Sequence, residues 1–398
     1  MNKKKNILIC MSEVPYPVRR NGVSIRYLPI LKHFCKIYEI DLLLILGNSD
    51  DEEHIGKLKK YTKNLNYFIR KKRKPGLLKK VLVHLSAYIP GRQPLEAYCY
   101  DEKQIKSYIK SKTHGMHYDV KLSVTLAFTE IIRDNVSADR YVIDCIDSVY
   151  AHLIREIKGT LINKYKLSLV RHWETKCISK ADIASYVSPL DIKVLAGNHK
   201  IDNVEVMPNG IYIDDYSDEK NHIEGFVIGF LGNMDYHPNI QAALKLSDIF
   251  NSLKDDIAGL KLLIIGRNPS KEIVDLKKVS GVIVTGVVDT IWPYVNATDV
   301  FVFPMSHGSG QQNKLLDVMY ASRPVISSSL GNSGVGAKKD LEVEIADTDD
   351  EVKAKIIELY KDANKKERLG KAGKSFIEKK YEWNNIFEKM DSSYFFKE

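Results

Sequence analysis

The stretch "HGSGQQNKLLDVM", residues 307–319, gathers residue types that together could hold a phosphate. Gly308 and Gly310 would let backbone N–H groups approach an anion, and a helix beginning just after them would turn its positive end the same way. Lys314 would add a full charge, with Asp317 three positions on along the same helix face. Leu315, Leu316 and Met319 fall where they would bury another face of that helix. The same spacing also suits plain α/β packing, with Lys314 and Asp317 as a solvated helix pair and the glycines shaping a turn. The local pattern leaves both readings open.

Positioning such a loop requires a strand before it and a sheet around it. "DVFVFP" at 299–304 precedes the loop and "PVISS" at 324–328 follows the helix. The second half of the chain repeats that alternation, with strand-like runs "FVIGFLG" at 226–232, "LKLLIIG" at 260–266 and "VIVTG" at 282–286. The first half does the same, with "NILIC" at 6–10, "IDLLLIL" at 40–46, "YFI" at 67–69, "DVKLSV" at 119–124, "RYVIDCI" at 140–146 and "IASYV" at 183–187. Near-continuous apolar strands separated by helical patterns predict parallel sheets covered on both faces, hence an α/β protein with two doubly wound halves. The polar stretch "EVMPNGIYIDDYSDEKNHIEG", with its Pro208-Asn209-Gly210 turn chemistry, reads as the linker. A single helix is expected from about Val149 to Ile178, and the region after Asp349 is expected to be helical.

At 398 residues, with 44% hydrophobic and 28% charged residues, the chain has a globular balance and length enough for two cores. Its five cysteines are scattered and form no C-x-x-C pair, which argues against a zinc or thiol-exchange site and fits a reducing, cytoplasmic setting. No apolar run approaches the roughly 20 residues that a membrane-spanning helix needs. The net charge of +9 is concentrated: no acid occurs between Glu53 and Glu96, while residues 57–92 include a dense lysine and arginine run mixed with leucines and aromatics. That composition suits either a solvated basic face or peripheral contact with an anionic membrane surface. It lacks any accompanying nucleic-acid motif, so nucleic acid is not expected as a partner.

With these runs in place, the sequence resembles the retaining GT-B glycosyltransferases of family 4, in the branch that builds surface polysaccharides. The carrying stretches are "VEVMPNGIYIDDY" for the interdomain signature, "IGFLGNMDYHPNIQAA", "LLIIGRNPS", "VIVTGVVDTIWPYVNATDVFVFP" and "GQQNKLLDVMYASRPVISS" for the donor half, "RYVIDCIDSVY" for the acceptor half and "YEWNNIFEKM" for a closing helix. The match covers nearly all of the second half and is thinner over the first. Three departures stand out. Ser309 replaces the first acid of the family's donor pair and Asp317 is the shorter acid at the second; Asn233 and His237 occupy the usual arginine and lysine positions; the two-glycine loop after the first strand is reduced to Asn21-Gly22.

The resemblance implies a GT-B fold: two doubly wound Rossmann-like domains facing across a cleft, residues 1–205 on the acceptor side and 206–379 on the donor side, with a helix at 380–398 crossing back. It implies a nucleotide-sugar donor, a glycan or lipid-linked acceptor, and no cofactor or bound metal. Donor contacts would come from Gly22, Gly232, Asn233, Arg267, Val287, Val288, His307, Gly308, Ser309, Gly310, Gln311, Gln312, Asn313, Lys314 and Asp317. Lys314 and Arg267 would meet the charge that builds on the departing diphosphate. Arg26, Asp144 and Asp147 would touch the acceptor, with Asp147 orienting or deprotonating its hydroxyl, unless Asp147 merely caps the helix beginning near Ser148. A nucleotide-sugar epimerase of the same fold and a non-catalytic nucleotide-sugar binder are the alternatives.

Overall fold

The computed structural model describes residues 4–47, 52–70, 102–156, 159–308 and 310–395. The chain forms two compact units: residues 1–209 together with 383–398, and residues 210–382. The backbone passes between them at Asn209–Gly210 and again at Glu382–Trp383.

In the N-terminal unit, seven parallel strands form one sheet in the order β3-β2-β1-β4-β5-β6-β7. They are β1 Asn6–Met11, β2 Glu39–Leu46, β3 Asn64–Ile69, β4 His117–Val124, β5 Ser137–Ile146, β6 Ile183–Tyr186 and β7 Val204–Val206. Alternate residues face opposite sides: Ile7 and Ile9 pack under the helix Gly22–Ile37, while Leu8 and Cys10 pack with Ile105, Ile109 and Trp173 on the other face. Both faces being covered explains why these strands read as continuous apolar runs. Helix Gly22–Ile37 starts at a capping box in which Asn21 Oδ1 accepts from Ser24 N and Ser24 Oγ accepts from Asn21 N.

The expected single helix over Val149–Ile178 is two helices, Val149–Glu156 and Leu161–Ile178. Thr160 accepts a bond from Asn163 N (3.3 Å) and so begins the second helix, just after Gly159.

The C-terminal unit holds six parallel strands in the order β10-β9-β8-β11-β12-β13. They are β8 Val227–Leu231, β9 Lys261–Ile265, β10 Val282–Val284, β11 Val300–Phe303, β12 Val325–Ser327 and β13 Glu344–Ile345. In both sheets the strand order reverses beside the first strand, between β1 and β4 and between β8 and β11. Ligands of doubly wound sheets bind at the carboxyl ends of strands at such a reversal. The two edges are therefore the places to look.

Candidate functional site

All strands of the C-terminal sheet run parallel, so the loops that follow β10, β9, β8 and β11 leave from one edge. Along it, in strand order, stand Val287 and Val288, then Arg267, then Gly232 and Asn233, then the glycine loop and Lys314. Val287 is 77% exposed, Val288 and Arg267 are half-buried, and the Arg267 carbonyl accepts from Met234 N (2.9 Å), tying two of these loops together.

The glycine loop needs its glycines. Gly308 and Gly310 have φ of 128° and 68°, a region that side chains with a Cβ rarely enter. Gly310 also lies so close to Gly334 that a Cβ on the latter would sit 2.1 Å from the Gly310 carbonyl oxygen. His307 is exposed, with Nδ1 2.9 Å from Ser306 Oγ; Gln311 is buried, and Gln312, Asn313 and Asp317 are half-buried. Ser309 lies outside the described residues.

Helix Asn313–Tyr320 follows. Gln312 is at its N-cap without a side-chain capping bond, and its first turn carries no acid. A helix N-terminus favours negative charge, yet the charge placed there is that of Lys314. The lysine is half-buried, and its ammonium reaches inward over the ring faces of Phe230 of β8 (4.8 Å to the centroid) and Phe303 of β11 (5.5 Å). Its polar contacts are Asn239 Oδ1 at 2.6 Å and Met305 Sδ at 3.4 Å. No carboxylate pairs with it among the described residues. Loss of hydration lowers its pKa from the ordinary lysine range to about 7. The solvated Lys314–Asp317 pair that spacing alone allowed is thus not what forms: the ammonium turns into the switch point between β8 and β11.

Two neighbours sharpen the site. Asn239, buried in the first turn of helix His237–Leu253, donates from Nδ2 to the Asn233 carbonyl (2.9 Å) while its Oδ1 receives the lysine. Asn233 Oδ1 is buried without a hydrogen-bond partner among the described residues. The sequence reading missed Asn239; a polar amide directly after Pro238 in the quoted "NMDYHPNIQAA" was the available signal.

On the N-terminal unit the expected acceptor residues separate. Arg26 and Asp144 are both fully buried and bonded to each other, Arg26 Nε to Asp144 Oδ2 at 2.7 Å. Arg26 Nη1 also donates to the Pro208 carbonyl (3.1 Å) and Asn209 Oδ1 (3.0 Å). Tyr27 Oη and Ser185 Oγ donate to Asp144 at 2.6 and 3.2 Å, and Ser185 meets Tyr394 Oη at 2.6 Å. The structure makes these two residues a buried lock: both side chains are withdrawn from solvent and bonded to the unit's own segments, with Arg26 Nη2 buried without a hydrogen-bond partner among the described residues.

Asp147 differs. It is exposed, one residue beyond β5, and has no hydrogen bond among the described residues. The cap of helix Val149–Glu156 is Ser148, whose Oγ accepts from Ala151 N (3.0 Å), so Asp147 is released from that role. The protein packed around it pushes its pKa up toward about 6, the charges of Asp191 and Asp144 add to this, and Arg26, Arg155 and the solvent that reaches the exposed carboxylate oppose it. The backbone leading into it is strained: Ile146 has φ 65°, an outlier for a β-branched residue, at an irregularity in the β5–β6 register. Ile146 N donates to Asp144 Oδ1 (3.3 Å) and its carbonyl accepts from Val187 N (2.8 Å), which hold the strained turn in place. Gly22 opens helix Gly22–Ile37, with empty space where a Cβ would stand.

Of the basic stretch 57–92, residues 71–92 lie outside the described residues; Lys57, Lys59 and Lys60 are exposed and Lys63 pairs with Glu39 at 2.6 Å. Among the described residues no helix is long and apolar enough to cross a membrane. Nor do three His, Cys, Asp or Glu side chains gather there as a metal site would require.

Residues 225–362, most of the C-terminal unit, match the family described as Glycosyl transferases group 1. The capsular polysaccharide biosynthesis glycosyltransferase CapM of Staphylococcus aureus is 26% identical over 237 residues, a match that spans 54% of this chain and 61% of CapM's length. Among solved structures, sucrose-phosphate synthase from Thermosynechococcus elongatus superposes with a TM-score of 0.70 at 13% identity, covering 98% of each chain. TarM of S. aureus does so with a TM-score of 0.70 at 11% identity, covering 99% of each chain; a point mutant of it has been solved in complex with UDP, fondaparinux and α-GlcNAc-glycerol. The chain has the GT-B fold, and the stretch that matches the glycosyl transferases group 1 model contains the switch-point lysine.

Proposed function

We propose that this protein is a retaining glycosyltransferase that moves a hexosyl group from a nucleoside-diphosphate sugar to a lipid-linked or cell-surface glycan, as a peripheral protein and without a resident metal. The observation that carries the reading is Lys314: a buried ammonium with no carboxylate partner among the described residues, at a helix N-terminus, at the β8/β11 switch point. Such a cation is costly until an anion arrives, and a diphosphate supplies one. As the sugar departs, charge builds on the diphosphate, and Lys314 with the loop amides meets it, while Arg267 flanks the loop and Asp317 takes the ribose hydroxyls. Val287, exposed after β10, and the half-buried Val288 would meet the base.

On the acceptor side, Asp147 takes the hydroxyl's proton or orients it. A carboxylate pushed up from the ordinary aspartate range stays ionised at neutral pH and is the more basic for it. The surface-glycan class of acceptor rests on the likeness to CapM.

The test is a thermal-shift series with nucleoside diphosphates and their sugars, followed by incubation of the stabilising donor with acceptor glycans and anomeric assignment of product by NMR. A bound donor raises stability by mass action. Release of nucleoside diphosphate with an α-linked product from an α-donor is expected. Conversion of donor to its epimer without acceptor would replace this reading by the epimerase, and donor binding with no turnover on any acceptor would replace it by the non-catalytic binder.

A further inference from the structure

Among the described residues Lys314 is held by one hydrogen-bond acceptor of any strength: Phe230 and Phe303 present ring faces, Met305 presents a thioether, and only the Asn239 amide offers an oxygen. The amide cannot turn to any other use without breaking its second bond, because Nδ2 is fixed on the Asn233 carbonyl. Gly232 makes room for it: a Cβ there would lie 2.8 Å from Asn239 Nδ2. The charged and titratable groups on the surrounding elements are Asp235, His237, Arg267, His307 and Asp317, with Lys245 further along the Asn239 helix and paired with Asp349 at 2.9 Å. None lies within ion-pair distance of the Lys314 ammonium among the described residues.

We propose that Asn239 is a positioning residue: its carbonyl keeps Lys314 protonated inside an otherwise apolar box, so that diphosphate binding is linked to the proton on that lysine. This rests on the donor reading given above. The sign follows from burial. Burial lowers the Lys314 pKa to about 7; a bound diphosphate would favour the ammonium and raise it. Affinity is therefore highest when Lys314 is already charged, and it falls as pH rises above 7 because binding must take up a proton. Removing the amide oxygen takes away a hydrogen bond that is stronger to the ammonium than to the neutral amine, and moves the titration down by about one pH unit.

Two readouts on the full chain test it. The rate at which acetic anhydride labels Lys314, followed by peptide mass spectrometry from pH 5.5 to 10, reports its titration with no ligand present. Calorimetric titration with UDP and with inorganic pyrophosphate between pH 7 and 9, where both remain highly charged, reports the linkage. Expected are a labelling midpoint near 7, a midpoint about one unit lower in Asn239→Ala, and a diphosphate affinity that weakens up to tenfold per pH unit in the wild type. Lys314→Arg, whose charge does not titrate in this range, is expected to bind with no such slope. An identical labelling midpoint in Asn239→Ala and wild type overturns the positioning role, as does a midpoint in the ordinary lysine range. If Lys314→Met abolishes binding while wild-type affinity is flat with pH, the linkage is overturned and the donor site stands. If Lys314→Met binds both ligands as the wild type does, the donor reading and the proposal fall together.

Discussion

The two units each bury a cation at the carboxyl edge of a parallel sheet, and they treat it in opposite ways. Arg26 meets a carboxylate, a carbonyl and an amide oxygen, so its charge is compensated within the fold. Lys314 meets two aromatic faces, a sulfur and one amide oxygen, and its charge is left over. Burial raises the cost of an unpaired charge by several kcal/mol, so a fold keeps one only where something else is to supply the partner. The pair in the first unit is architecture; the charge in the second, with no carboxylate beside it among the described residues, is the one the proposed diphosphate would meet.

The comparison can be broken from either end. The largest effect is expected at the lock: Arg26→Met or Asp144→Leu alone should cost roughly 3–5 kcal/mol in urea unfolding, by stranding the other charge. The double variant should recover most of that loss, and additive losses would mean that the two residues do not act as a pair. Next comes Asp147→Asn, expected to lower turnover by roughly 10²–10⁴-fold while leaving the unfolding midpoint and donor affinity near wild type. Normal turnover would return Asp147 to the surface. The smallest and finest effect is the pH profile of kcat/KM, which reports the free enzyme's groups. It should rise as Asp147 ionises through about 6 and fall as Lys314 deprotonates through about 7, giving a narrow bell. The Asp147→Asn variant should retain only the alkaline limb.

Much of this was legible in the sequence because the evidence is local. Apolar runs bounded by glycine or proline predicted the long central strands to within a few residues, and the order "FVFP", glycines, helix placed Lys314 at the end of β11. Strands β7 and β13 escaped because two or three residues at a sheet edge are too few to show a period. Contacts far apart in sequence were beyond reach. Nothing in "GVSIRYL" says that Arg26 will find Asp144, and a buried charged pair and an acceptor contact look alike in a string of letters. The strain at Ile146 was equally hidden, since a β-branched residue at the end of an apolar run argues for continued strand and not for a left-handed turn.

The central claim, that Lys314 is a charge kept at a cost for a diphosphate, is tested most directly by one variant measured two ways. A lysine whose folded pKa is lowered carries its full penalty below about pH 7, and the penalty fades as pH rises toward the unfolded value near 10.5. Lys314→Met, which fills the same space without charge, should therefore melt at a higher temperature than wild type at pH 6.5, with the difference shrinking toward pH 10, and should no longer be stabilised by UDP. A variant that melts lower than wild type at pH 6.5 and is stabilised by UDP to the same degree would contradict the account.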